Sequence, residues 1–139
     1  MRRILMMVAA VAMLVVMAVP ASAAGPDFVV ELTGEQEVGG GDPDGFGIAR
    51  LDFDRANREL CFDVDVFNVD DVTGIHIHDG DVGVNGPIVI DFEFATNGFE
   101  GCVSVDRAVL REILRNPAGF YVNVHSVEFP GGAVRGQLA

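Results

Sequence analysis

Leu60-Cys61-Phe62-Asp63-Val64-Asp65-Val66-Phe67 is the stretch whose reading decides the fold. Leu60, Phe62, Val64 and Val66 alternate with Cys61, Asp63 and Asp65. A period of two sustained over eight residues is the pattern of a half-buried antiparallel strand. Immediately upstream, Phe46 to Asp54 alternates too, with Gly47, Ala49, Leu51 and Phe53 opposite Phe46, Ile48, Arg50, Asp52 and Asp54. Arg55-Ala56-Asn57-Arg58 between the two runs reads as a hairpin turn. Working further back, Asp27 to Leu32 is a short first strand. Thr33 to Gly45, with three consecutive glycines, a proline and several acids, reads as a mobile loop. Glu35, Glu37, Asp42 and Asp44 in that loop offer oxygens to calcium, but their spacing matches no calcium-loop pattern, and a solvated loop is the expectation.

Downstream lies Gly74-Ile75-His76-Ile77-His78-Asp79-Gly80-Asp81, which holds two of the three histidines of the chain. In a strand, alternate side chains share a face, so His76 and His78 lie together, opposite Ile75 and Ile77. At a rise of about 3.3 Å per residue their attachment points stand about 6.6 Å apart, close enough to converge on one ion. The Gly/Asp/Asn-rich segment through Pro87 is expected to form a mobile, acidic rim beside them. Pro87 then opens a strand with Ile88, Ile90, Phe92 and Phe94 inward and Asp91 and Glu93 outward. Thr96-Asn97-Gly98 turns into Phe99 to Val105. Asp106 is placed to cap a helix of about ten residues, in which Val109, Leu110, Ile113 and Leu114 recur at helical spacing, with Arg111 and Arg115 outside, and which ends at Asn116-Pro117. Phe120 to Val127 returns to alternation, with Phe120, Val122 and Val124 inward and Tyr121, Asn123 and His125 outward. The last strand carries Arg135 and Gln137 on one face. Seven or eight such strands predict an all-β antiparallel sandwich, immunoglobulin-like or superoxide-dismutase-like, with one short helix.

The N-terminus is read as an export signal. Arg2 and Arg3 precede an apolar run from Ile4 to Val19, and Pro20 leads into the small-residue site Ala21-Ser22-Ala23. A membrane anchor is the alternative, but sixteen apolar residues are short for a span and no basic cluster follows. Cleavage after Ala23 or Ala24 leaves one domain, residues 24–139, free of any membrane span. All nine basic residues are arginine, and beyond the signal seven of them face 21 acids, a balance of −14. That charge argues against nucleic acid and anionic membranes as partners. It suits an extracellular protein whose partner is a metal ion or another extracellular protein. Cys61 and Cys102, an even pair in an exported chain, are expected to form a disulfide stapling two strands, worth roughly 4 kcal/mol for a loop of about 40 residues. Its Cα atoms are expected about 4.4–6.8 Å apart.

These segments carry a resemblance. Leu32 to Val38, His76-Ile77-His78 with Gly80, Asn85-Gly86-Pro87, Asn116-Pro117-Ala118, Tyr121 to His125 and Phe129-Pro130-Gly131-Gly132-Ala133-Val134-Arg135-Gly136-Gln137-Leu138 together resemble the CHRD domain, named after chordin. The resemblance spans nearly the whole mature chain and implies a β-sandwich and export. In chordin such domains belong to an extracellular antagonist of growth factors, whereas bacterial members are single secreted domains. It implies no particular activity. A more local similarity is to copper–zinc superoxide dismutase. Gly74 to Asp79 is similar to that family's copper-binding strand, Val124-His125-Ser126 to its later ligand strand, and Gly131 to Arg135 to its glycine-rich segment with an anion-guiding arginine. The fourth histidine and the zinc-ligand loop of that family are missing, and the cysteines stand elsewhere.

Two functions follow from the residues. In one, His76, His78 and His125 form a metal site for copper, with zinc second, and Asp79 or Asp81 supplies a further ligand or orients a ring. In the other the histidines are structural, with Tyr121 and Asn123 as partners of His125, Arg135 held by packing and an ion pair, and the protein a binding or matrix module. Neither Ser-His-Asp nor Cys-His catalytic sets, nor paired catalytic carboxylates, nor a phosphate loop can be read from the chain, so no enzyme is expected; dismutase-like redox activity is a distant alternative.

Overall fold

A computed structural model describes residues 25–139; the signal segment read over residues 1–23 lies outside the described residues. Eight strands form: β1 (Phe28–Thr33), β2 (Phe46–Asp54), β3 (Glu59–Phe67), β4 (Val72–Asp79), β5 (Ile88–Asp91), β6 (Glu100–Ser104), β7 (Phe120–Ser126) and β8 (Val134–Gln137). Between them lie a single helical turn, α1 (Phe94–Asn97), and one longer helix, α2 (Arg107–Arg115). All pairings are antiparallel, in one eight-stranded sheet of order β5-β4-β7-β8-β1-β2-β3-β6. The fold is therefore all-β and sandwich-like, as the alternation predicts. It is one continuous sheet bent over its core. Two four-stranded halves join where Thr33 of β1 pairs Arg135 of β8. The far ends also approach each other: Phe62 of β3 stacks on Phe92, just past β5, with ring centroids 4.3 Å apart.

The inward residues named from the pattern fill this core. Leu60, Phe62 and Val64, Ala49, Leu51 and Phe53, Ile75 and Ile77, and Phe120, Val122 and Val124 form one buried cluster with Val30, Leu32 and Val134. α2 adds Leu110 and Ile113, and its first turn is capped by the Asp106 carboxylate, which accepts from the Ala108 N–H at 2.7 Å. On the outer face, Cys61 and Cys102 are direct cross-strand partners of β3 and β6 and are bonded. Their Cα atoms are 4.0 Å apart, closer than expected, because they face each other directly in the ladder.

Three expectations are corrected. The strand after Pro87 stops at Asp91. Glu93 takes a left-handed conformation (φ 52°), α1 follows, and Ile88 is half exposed while Ile90 and Phe92 are buried. Second, the outward side of β7 is not solvated: Tyr121 and Asn123 are as buried as their inward neighbours. Third, the rim through Gly80–Pro87 is fastened down. Arg135 donates to the carbonyls of Asp81 and Val84, Gln137 to that of Gly80, and the Gly86 N–H donates to the Tyr121 hydroxyl. Half of the sheet thus has a second, polar interior.

Candidate metal centre

That polar interior contains all three histidines. β4 presents His76 and His78 on its outer face; β7, paired beside it, presents Tyr121, Asn123 and His125 on the same side. One ring nitrogen from each histidine lies within 4.8 Å of the others, and the ring centroids are 4.9–5.8 Å apart. His78 is buried, and His76 and His125 are partly so.

The second nitrogen of each ring shows how the rings are held. His78 Nδ1 lies 2.9 Å from the Gly86 carbonyl, and His125 Nδ1 lies 3.0 Å from that of Pro130. A carbonyl only accepts, so each Nδ1 carries the proton and donates, which in the neutral ring leaves Nε2 with a bare lone pair. Both Nε2 atoms are buried and unpartnered. His76 is turned the other way: its Nε2 faces the Asp91 carboxylate at 3.8 Å, and its Nδ1 is the buried, unpartnered atom. Backbone carbonyls and a carboxylate behind imidazoles are the usual outer shell of histidine metal sites. Burial, with the neighbouring His125 adding repulsion, holds His76 below the ordinary histidine value. Burial also holds His78 down, opposed by its bond to Gly86 and helped by His125 and Arg135. Both rings therefore stay neutral further into the acid range than free imidazole.

Two glycines set this geometry. A Cβ on Gly74 would stand 3.0 Å from Cε1 of the His76 ring, so a larger residue there would press the ring aside. A Cβ on Gly86 would overlap the Asp79 carbonyl oxygen, so the loop can reach His78 only with glycine there.

Arg135 is the largest fully buried side chain beside the cluster. Its guanidinium sits 3.4 Å from the centroid of the Tyr121 ring, and that ring stacks on His78 at 4.8 Å. Since β7 runs between β4 and β8, Tyr121 is flanked by the histidine on one side and the arginine on the other. Glu37 is buried near Arg135, with Oε1 unpartnered; burial raises its carboxyl to about 7 against the pull of the arginine.

Sequence reasoning named the three histidines, and the structure brings them together. It placed the orienting carboxylate wrongly: Asp79 is exposed, Asp81 offers Arg135 its backbone carbonyl, and the acid beside the cluster is Asp91. Asp91 is outward on β5, as its alternation says, but only the β4–β5 register sets it opposite His76. The partners proposed for His125 also differ, because Tyr121 stacks on His78 and the Asn123 Oδ1 is unpartnered. Arg135 makes hydrogen bonds and a ring contact in place of the expected ion pair. The calcium reading is not upheld. No three of Glu35, Glu37, Asp42 and Asp44 gather within 4.8 Å, and the Asp42 carboxylate instead accepts from the N–H groups of Asp44 and Gly45.

Fold and site together define a disulfide-stapled antiparallel β module with a three-histidine cluster on its covered face. The CHRD domain model matches residues 28–138, and the chain belongs to the CHRD domain family. Comparison with curated proteins and with solved structures gave no match. CHRD domains are typically extracellular, and the Cys61–Cys102 bond is consistent with an oxidising compartment.

Proposed function

We propose that this domain is a secreted, non-enzymatic module that binds one copper ion through His76, His78 and His125, with zinc as the second choice. The observations that carry the reading are that each histidine keeps one buried, unpartnered ring nitrogen, that one nitrogen of each ring lies within 4.8 Å of the others, and that each ring is anchored from behind. Histidines kept for structure would have both nitrogens paired, since a buried polar atom without a partner is costly. Zn–N bonds are about 2.0–2.1 Å, so the rings need close by only an ångström or so onto an ion. An all-imidazole set ranks Cu(II) above Zn(II) on affinity, and three ligands leave a position open. The surface charge would concentrate a cation nearby. His76 Nδ1 and the two Nε2 atoms would hold the metal; Asp91 and the carbonyls of Gly86 and Pro130 would fix the rings.

A protein-contact role for the same domain is favoured by a separate observation. Phe46 and Phe67 stack at 4.8 Å on the outer side of β2 and β3, and both are nearly half exposed.

Titration calorimetry of the untagged secreted protein with Cu(II) and Zn(II) tests the metal reading. The expected result is one equivalent of Cu(II), tighter than Zn(II), weakening only as pH falls well under 6.5, because the ligands must be neutral and burial keeps His76 and His78 neutral past the ordinary histidine value. Each of His76→Ala, His78→Ala and His125→Ala should lower affinity about a hundredfold with the fold intact. A His125→Ala variant that binds like the wild type would abolish the shared site. N-terminal sequencing of the same material should begin near Ala24.

A further inference from the structure

Away from the histidines, the arginines are distributed unevenly. Of the seven among the described residues, four line a single cleft of about 420 Å³: Arg55 from the β2–β3 turn and Arg107, Arg111 and Arg115 from α2. Leu110 and Leu114 supply the rest of the lining, and no acid contributes to it. Two of the other three are accounted for, Arg50 by its bond to Asp65 and Arg135 by its burial beside Tyr121. Among the described residues, none of the four cleft arginines has a carboxylate within ion-pair distance. Three stand at successive fourth positions of one short helix, where like charges repel and destabilise it. A strongly acidic chain that gathers unpaired guanidinium groups around an apolar floor carries that strain for nothing unless an anion joins them.

We propose that this cleft binds a small amphiphilic anion, an acidic head group (carboxylate, sulfate or phosphate) on a short apolar body. The guanidinium forks would take the head group through charge-assisted hydrogen bonds, and Leu110 and Leu114 would receive the apolar part. The volume suits a small molecule. An extended polyanion fits poorly, because beyond the cleft three arginines stand against 21 acids. The site is on the side of the core where α2 packs and shares no residue with the histidine cluster.

The test uses the untagged mature protein at about 150 mM salt, where bare surface attraction is largely screened. Octyl phosphate and octanoate, below their micellar concentrations, are titrated by NMR beside inorganic phosphate, octanol, and vesicles of phosphatidylcholine with phosphatidylglycerol. Octyl phosphate should shift the Leu110 and Leu114 resonances and bind at least about tenfold tighter than phosphate or octanol alone. Arg111→Gln and Arg115→Gln should each weaken it about tenfold. Arg50→Gln, the same charge change elsewhere, should leave it unchanged, and circular dichroism verifies that all three variants fold. Equal binding by the Arg111 and Arg115 variants overturns the proposal. So does phosphate binding as tightly as octyl phosphate, or capture by the vesicles with no binding of the free amphiphile.

Discussion

The two halves of the sheet are built from the same alternating pattern and treat their outer faces in opposite ways. On β2 and β3 the outer face is Arg50, Asp52, Cys61, Asp63 and Asp65, largely in contact with water and tied by the exposed ion pairs of Arg50 with Asp63 and Asp65 and by one disulfide. On β4, β7 and β8 it is His78, Tyr121, Asn123 and Arg135, all buried, with the Gly80–Pro87 loop bonded to His78, Tyr121 and Arg135. Polarity on an alternate position therefore says which face a residue is on, and whether that face is wet depends on what folds over it. Where it is covered, each polar atom has to be paired or left as a binding group, because the local dielectric is low.

The largest expected effect comes from breaking the covered half at its centre. Arg135→Ala removes four hydrogen bonds and the contact with Tyr121, and frees the loop carbonyls. Urea unfolding should show a loss of about 3–5 kcal/mol. Next is the wet half, where a covalent staple stands in for burial. Cys61→Ser with Cys102→Ser opens a link across 41 residues and should lower stability by about 2–4 kcal/mol, read in the same way.

Glu37 sharpens the comparison through pH. Its folded value of about 7 lies above the ordinary 4.5, so the folded state holds the proton more tightly than the unfolded chain. Stability associated with this group is thus complete below about 4.5 and declines as pH rises through about 7. His76 and His78 act in the opposite sense: with folded values below 6.5, they lower stability as the pH falls under 6.5. The difference between Glu37→Gln and wild type isolates the carboxylate. It should be flat below pH 4.5 and move by roughly 2 kcal/mol in favour of the variant by pH 8.

Gly74→Ala is a smaller step. It pushes the His76 ring from its seat, so Cu(II) affinity in the calorimeter should fall about tenfold while the melting temperature changes little. Smallest of all is Arg50→Ala on the wet face, whose ion pairs with Asp63 and Asp65 are solvent-exposed, so the urea unfolding midpoint should barely move. A loss there comparable with that of Arg135→Ala would erase the distinction between the halves.

Much of the molecule was readable beforehand for a definite reason. A strand exposes its periodicity locally, so the inward residues of β2, β3, β4 and β7 could be named from spacing alone, as could α2 and its Asp106 cap. Two histidines one residue apart share a face by stereochemistry, and an even pair of cysteines in a chain read as exported points to a bond. The β5 boundary was misplaced because Ile88, Ile90, Phe92 and Phe94 keep the strand rhythm through a left-handed turn at Glu93 that backbone contacts, not composition, impose.

The sequence by itself determined the periodicity, the faces, the histidine pair on one strand and the family, since each is written in neighbouring residues. Tertiary structure alone decided which outer face is covered, which acid stands behind His76, and that Arg55 joins three arginines of a helix more than fifty positions away. Those are matters of register and loop closure between distant segments. They follow from the free energy of packing the whole chain, which no local window contains.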